Sequence, residues 1–326
     1  GIETWVMNLF AAPRFAILPV ASLGASWIAV VAVSFLLIRL VPGDPVEIFI
    51  NHMNVRATDE LIAAYRTEWG LDRSLFAQFA VWLQGFVTLD WGQSFVTGQA
   101  VTAELFPRAG WSAAIGLAGF ASAILVGSGI GVLAALQPGG LADRLSRLFA
   151  IGGQALPAFA VGLIVLWILA AELQWIRPFS GGVVERLLLP IALVAFFSIG
   201  SISRMVRAGF IEVRSASYMR TALAKGLGRG KALWRHGRRH AAIVLLAGIA
   251  PDLAWIIGGT AVAEIVFGVP GLSERIVAAV AERDYPVLQP YIALIALWLV
   301  LGLRLTAALR RSLDPRLDLG VEVGHG

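Results

Sequence analysis

The sequence predicts an all-α, polytopic membrane protein with six transmembrane helices, and three observations carry that prediction. Of its 326 residues, 58% are hydrophobic and 14% charged, and the mean hydropathy is +0.78. The apolar residues fall in runs that reach the roughly 20 residues of helix needed to cross a hydrocarbon core of about 30 Å. The 26 Lys and Arg gather in the segments between those runs. Backbone N–H and C=O groups cannot stay unpaired in lipid, so the runs are expected to be helices. A pI near 10.2 suggests nucleic acid as a partner, but no basic face with interleaved aromatics is present, and the partner implied is the lipid membrane. The absence of cysteine excludes disulfides and thiolate metal sites.

Taken in order, Phe15 to Val41 is the first span, longer than the core of a cleaved leader and read as retained. It ends at Arg39-Leu40-Val41-Pro42-Gly43-Asp44-Pro45, a string that stops a helix. Residues 42–105 contain no apolar run of spanning length and form an insertion outside the membrane. Within it Thr58 caps a helix that opens with Asp59 and Glu60, lines Leu61, Tyr65 and Trp69 along one face, and stops at Gly70. Ser74 caps a second, with Leu75, Phe79, Trp82, Leu83 and Phe86 on its apolar side. Trp69, Trp82 and Trp91 suit a membrane interface. The insertion reads as a small packed cap, with a dedicated ligand site as the alternative.

Trp111 to Leu136 is the second span, and its Gly127-Ser128-Gly129-Ile130-Gly131 cluster lies inside an apolar helix, where small residues serve close packing rather than phosphate binding. The third, Leu148 to Ala171, carries Pro157 and is expected to kink there. A polar connection from Glu172 to Glu185 leads to the fourth, Leu187 to Ile202. The fifth, Ala241 to Phe267, holds Asp252 near its middle and Glu264 near its far end, and Gly268-Val269-Pro270-Gly271-Leu272 breaks it. The sixth runs from Leu288 to Leu309.

Between the fourth and fifth spans lies a basic segment, residues 212–240, too charged for hydrocarbon. Ser217 can cap a short helix there that carries Lys225 in its last turn and stops at Gly226. From charge alone this segment is equally a topogenic loop. Of the 26 Lys and Arg, 17 fall on its side of the six spans and 9 on the other, which puts this segment and both termini in the cytoplasm and the insertion outside.

The order Tyr218, Arg220-Thr221-Ala222-Leu223-Ala224-Lys225-Gly226, then Arg235-His236, resembles the coupling loop of ATP-binding-cassette importer permeases of the dipeptide/oligopeptide/nickel family. The match departs from that pattern at Leu223 and around Val244. The RLVPGDP string, the Phe267-to-Leu272 string of FxxPGL form, Arg283-Asp284-Tyr285-Pro286 and Leu313-Asp314-Pro315-Arg316 resemble the same family, so the likeness extends over residues 15–318. The resemblance implies one type I permease domain over 1–326 in a bacterial inner membrane. It further implies a short helix docked on a cytoplasmic ATPase, a second permease, two ATPase subunits holding ATP and Mg, an external substrate-binding protein, and transport by alternating access. Peptides, nickel or metal chelates are the cargoes it implies.

No catalytic chemistry is evident. Lys225-Gly226 and Lys231-Ala232 lack the Gly-x-x-x-x-Gly-Lys-[Ser/Thr] order that cradles phosphates, so this chain is not expected to bind ATP or any cofactor itself. Of His52, His236, His240 and His325, the pair at 236 and 240 has metal-binding spacing on a helix but sits among Arg235, Arg238 and Arg239, and reads as a solvated basic face. Asp252 and Glu264 are candidates for the translocation pathway; the alternative for Asp252 is an interhelical hydrogen bond to Ser198 or Ser201. A membrane-embedded enzyme and a non-conducting scaffold are the competing functions.

Overall fold

The computed structural model describes residues 13–40, 43–53, 55–176 and 182–313; among these the regular elements are helices, apart from one antiparallel bridge between Gln93 and Ala100. They are α1 (Pro13–Leu40), α2 (Pro45–His52), α3 (Asp59–Glu68), α4 (Leu75–Thr88), α5 (Val101–Leu136) and α6 (Leu141–Ala155). There follow α7 (Ala158–Leu166, continued by π-helical turns over Trp167–Glu172), α8 (Val183–Ser215) and α9 (Ser217–Ala224). The chain closes with α10 (Arg229–Gly248), α11 (Ala250–Phe267), α12 (Leu272–Glu282) and α13 (Tyr285–Leu313). Among the described residues, four helices are long and apolar enough to cross a membrane, and two bent helix pairs raise the number of spans to as many as 6. Val41, Pro42, Arg177, His325 and the Asp314-Pro315-Arg316 string lie outside the described residues, as do the side chains of Arg14, His52 and Glu185.

Two compact units result: residues up to Leu105 with Ile276–Leu301, and Phe106–Arg275 with the segment from Gly302. In the first, the helix starts are set by side chains. Asp44 accepts from the Val46 amide at 2.9 Å to open α2, Thr58 from Leu61 at 3.4 Å to open α3, and Ser74 from Ala77 at 3.3 Å to open α4, each offsetting an otherwise unpaired donor of a first turn. Gly70, at φ +65°, makes the turn after α3 as expected. Asp44 also receives the Arg66 guanidinium, tying α2 to α3. α1 lies on the N-terminal half of α13, where Val31, Ala293 and Ala296 are buried and the Trp27 indole donates to Ala293 O at 2.9 Å. Phe79, Trp82 and Phe86 of α4 cover this seam, so the insertion is packed as a cap. It ends earlier than the hydropathy suggests, because α5 already begins at Val101.

The second unit is built around α8, and glycines let its neighbours approach. A Cβ on Gly119, Gly127 or Gly131 of α5 would come within 2.8, 3.0 and 2.6 Å of α8 atoms, whereas one on Gly129 would meet nothing within 4 Å. The glycine cluster is thus a packing stripe at i, i+4 spacing. Gly200 of α8 lies against the Ala150 backbone of α6, and Gly209 against Ala241 of α10.

Three span expectations are corrected. Pro157 does not kink one helix but separates two: Leu156 is extended, as a residue before proline tends to be, and α6 and α7 meet at 106°. The fourth span does not end at Ile202, since α8 continues to Ser215; Val206, Phe210 and Val213 recur at helical spacing and stay buried beyond the apolar run, where hydropathy drops but packing does not. The fifth is not continuous from Ala241. α10 stops at Gly248 and α11 restarts at Ala250, because Pro251 lacks the N–H and crowds the carbonyl four residues back, which it can do without cost only in a first turn.

Candidate functional site

The basic segment folds into α9 and the start of α10 rather than an open loop. Ser217 is the first helical residue of α9 and not its cap; that position is Ala216, which supplies no side-chain bond. The stop is as read. Gly226 sits at φ +84°, its amide donates to Leu223 O at 3.0 Å, and the Leu227 amide donates to Ala222 O at 3.2 Å, the paired bonds of a left-handed C-terminal cap. Met219 and Ala222, three residues apart, turn inward onto Phe210, Val213 and Leu233. Of the expected coupling residues, Ala222 therefore faces the core, while Tyr218, Arg220, Thr221, Ala224, Lys225, Gly226, Arg235 and His236 are exposed.

Two side chains that the family pattern passes over complete this surface. Trp234 is 54% exposed and lies nearly parallel to Phe210, and Leu223 is 37% and Tyr218 49% exposed. Exposed Trp, Tyr and Arg are the residue types enriched at protein-binding patches. Helical spacing does not announce Leu223, which lies four residues after the inward-facing Met219 and is nevertheless exposed. The histidines divide: the His236 ring lies 6.1 Å from that of Tyr218, and His240 Nε2 lies 2.8 Å from Glu212 Oε2. Among the described residues no group of three or more His, Cys, Asp or Glu is placed to hold a metal.

The two acids inside the apolar helices are each engaged by their own unit. Asp252 stands in the first turn of α11, not at mid-helix, is 6% exposed, and accepts from Ser201 Oγ of α8 at 3.0 Å. That is the interhelical bond weighed as the alternative, made to Ser201. Glu264, 1% exposed, accepts from the Ser273 amide at 2.8 Å, so a carboxylate sits at the N-terminus of α12 where the helix dipole favours it. Gly271 leaves the room: a Cβ there would lie 2.2 Å from the Glu264 carboxyl carbon.

A further acid went unremarked in the sequence. Asp143, 2% exposed, meets Arg207 Nε of α8 at 2.7 Å and accepts from the Gly139 amide at 2.8 Å. It fixes the turn before α6 to α8. Sixty-odd intervening residues hide such a pair from any local reading.

The described residues thus form a helical protein that buries the acids of its apolar helices in helix-to-helix ties and exposes a short capped helix with aromatic and basic side chains. Residues 127–319 match the model of the family described as binding-protein-dependent transport system inner membrane component. The chain belongs to that family, the membrane permeases of ATP-binding-cassette importers. It is 34% identical over 293 residues, 87% of this chain and 92% of the relative, to the probable peptide ABC transporter permease protein y4tP of Sinorhizobium fredii. It is 31% identical over 281 residues, 86% of this chain and 91% of the relative, to the glutathione transport system permease protein GsiC of Escherichia coli K12. The relatives are transport subunits of inner-membrane complexes, and this chain is a multi-pass permease subunit of the same kind.

Proposed function

We propose that this chain is one of two permeases in an importer of short peptides, and that α9 is the element through which ATPase subunits drive it. The observation that carries the reading is the exposed face of α9: Tyr218, Thr221, Leu223 and Lys225 stand outward on a helix whose other face is anchored through Met219 and Ala222. A helix so anchored transmits a push to α8 and α10. Peptide is favoured over nickel or a metal chelate because the relatives are named for the transport of a peptide and of glutathione, itself a tripeptide. ATP and Mg belong to two cytoplasmic ATPase subunits, cargo arrives from an external binding protein, and the two permeases open in alternation to either side. The 17 to 9 charge asymmetry supports a cytoplasmic α9 and cytoplasmic termini, with residues 42–105 outside. In this scheme Asp252 and Glu264 serve the pathway by holding α11 to α8 and α12 to α11, so that the helices move together.

Uptake by membrane vesicles containing the assembled importer tests the reading. Labelled Ala-Phe is expected to accumulate only with ATP and the binding protein, and to compete with other dipeptides but not with nickel. ATP-independent accumulation, or accumulation of nickel in place of the dipeptide, contradicts it.

A further inference from the structure

The first unit holds a cleft that the coupling scheme does not use. Its volume is 740 Å³, within the range of about 300–1,000 Å³ common for small-molecule sites. Phe49, Tyr65, Trp69, Phe95 and Tyr285 are among the rings that line it. The wall they form is clamped. Asp284, fully buried, accepts from Ser94 Oγ at 2.5 Å and from the Phe95 amide at 3.0 Å, which fixes the turn between Gln93 and Ala100. Phe95 consequently lies flat on Trp69, with 3.8 Å between centroids and 2° between planes, and Phe49 and Tyr65 brace Trp69 at 5.2 and 5.6 Å.

Two buried donors at this cleft have no acceptor among the described residues, and a guanidinium stands beside them. Arg39, half-buried near the end of α1, lies over the Phe35 ring at 3.5 Å, is 5.3 Å from the Tyr285 ring, and donates from Nε to Gln78 Oε1 at 3.0 Å and, at 3.4 Å, from Nη1 to Phe35 O. None of the ion pairs among the described residues includes it. Gln289, one turn beyond Tyr285 on α13 and 6% exposed, has an amide nitrogen without an acceptor among the described residues, and so has the indole of Trp82; both residues line the cleft. The charged groups that also line it, Glu68, Arg73 and Asp90, belong to exposed residues and balance to within one charge. Buried donors left without acceptors are costly, and a guanidinium with an N–H group to spare is a strong donor to a carboxylate.

We propose that this cleft binds the terminal carboxylate of a short peptide at Arg39 and Gln289, with the last side chain against the stacked Trp69 and Phe95. The proposal rests on the peptide-importer reading and adds a cargo contact made by the permease itself. The aromatic walls select an organic carboxylate over a small inorganic anion, since they need an apolar group attached to the charge.

The test uses the full chain in phosphatidylcholine nanodiscs, titrated with Ala-Phe and with its C-terminal amide while fluorescence is read from the tryptophans, of which Trp69, Trp82 and Trp91 border the cleft. Saturable binding of Ala-Phe is expected, at least tenfold weaker for the amide. Arg39→Gln should weaken Ala-Phe by about tenfold, the scale of one charge-assisted bond. Gln289→Leu, which removes a buried unpaired amide rather than a helix tie, should weaken it several-fold with the fold intact. Equal binding of acid and amide, or wild-type affinity in both variants, overturns the proposal. Loss of Ala-Phe binding when phosphatidylglycerol replaces phosphatidylcholine also overturns it, by assigning the cleft to a lipid headgroup. The importer reading is judged separately: ATP-driven Ala-Phe uptake without binding in the cleft refutes the cleft alone, and binding without uptake refutes the peptide cargo alone.

Discussion

Gly226→Glu is expected to abolish peptide uptake while leaving the chain inserted and folded. The loss arises at a surface. Gly226 has φ +84°, a conformation that costs an L-residue about 1–2 kcal/mol, yet a Cβ there would meet nothing within 4 Å inside the chain. Met219 and Ala222 still hold α9 to the core, so the substitution loosens the last turn of the helix without unseating it. What changes is the exposed face: the two bonds that close the helix, from Gly226 to Leu223 O and from Leu227 to Ala222 O, weaken, and a carboxylate enters a patch of Arg220, Lys225 and Arg235. We expect uptake to fall at least tenfold and the ATPase subunits to be retained poorly on purification. Gly226→Asn, which tolerates the left-handed region, should lose far less. Wild-type uptake by Gly226→Glu would remove α9 from the coupling scheme.

Gly200→Ala should be the most damaging single methyl in the second unit. Its Cβ would stand 2.5 Å from Ala150 Cα and N and 2.6 Å from the Phe149 carbonyl carbon, all backbone atoms of α6 that no rotamer change can move. α6 and α8 would have to separate, and the Ser146 to Ser203 hydroxyl bond of 2.8 Å and the Asp143 to Arg207 pair of 2.7 Å bridge those same helices. Overpacking of this kind costs about 1–3 kcal/mol, and straining two polar ties puts Gly200→Ala at or above the upper end. Gly129→Ala is the matched control, because nothing lies within 4 Å of the added methyl and alanine favours helix; it should be neutral or slightly stabilising. Thermal unfolding of both variants in the same nanodiscs reads the difference.

Much of the architecture was legible because it depends on local patterns. The caps at Thr58 and Ser74, the stops at Gly70 and Gly226 and the packing role of the Gly127 cluster all follow from spacing within one turn or one helix. The breaks were harder. Pro157 and Pro251 interrupt apolar runs that hydropathy treats as continuous, and whether a proline kinks a helix or ends it depends on what the flanking segments pack against. α8 outran its apolar run because Val206, Phe210 and Val213 join one buried cluster with Ala232, Leu233 and Ala241 of α10, a tertiary fact absent from any window of sequence. The same limit applies to the acids. Composition identifies Asp252 as expensive in hydrocarbon but not that Ser201 supplies its partner, and nothing local announces that Asp284 clamps a turn some 190 residues earlier in the chain.

The chain contains no cysteine, so one placed at Thr221 is a unique thiol on the exposed face of α9. In cells carrying the complete importer, a short bifunctional thiol reagent is expected to join Thr221→Cys to an ATPase subunit bearing a cysteine on its membrane-facing side, while a membrane-impermeant maleimide added outside intact cells leaves that thiol unmodified. Modification of Thr221→Cys from outside, with no cross-link to either ATPase, would contradict the assignment of α9 as the cytoplasmic coupling element.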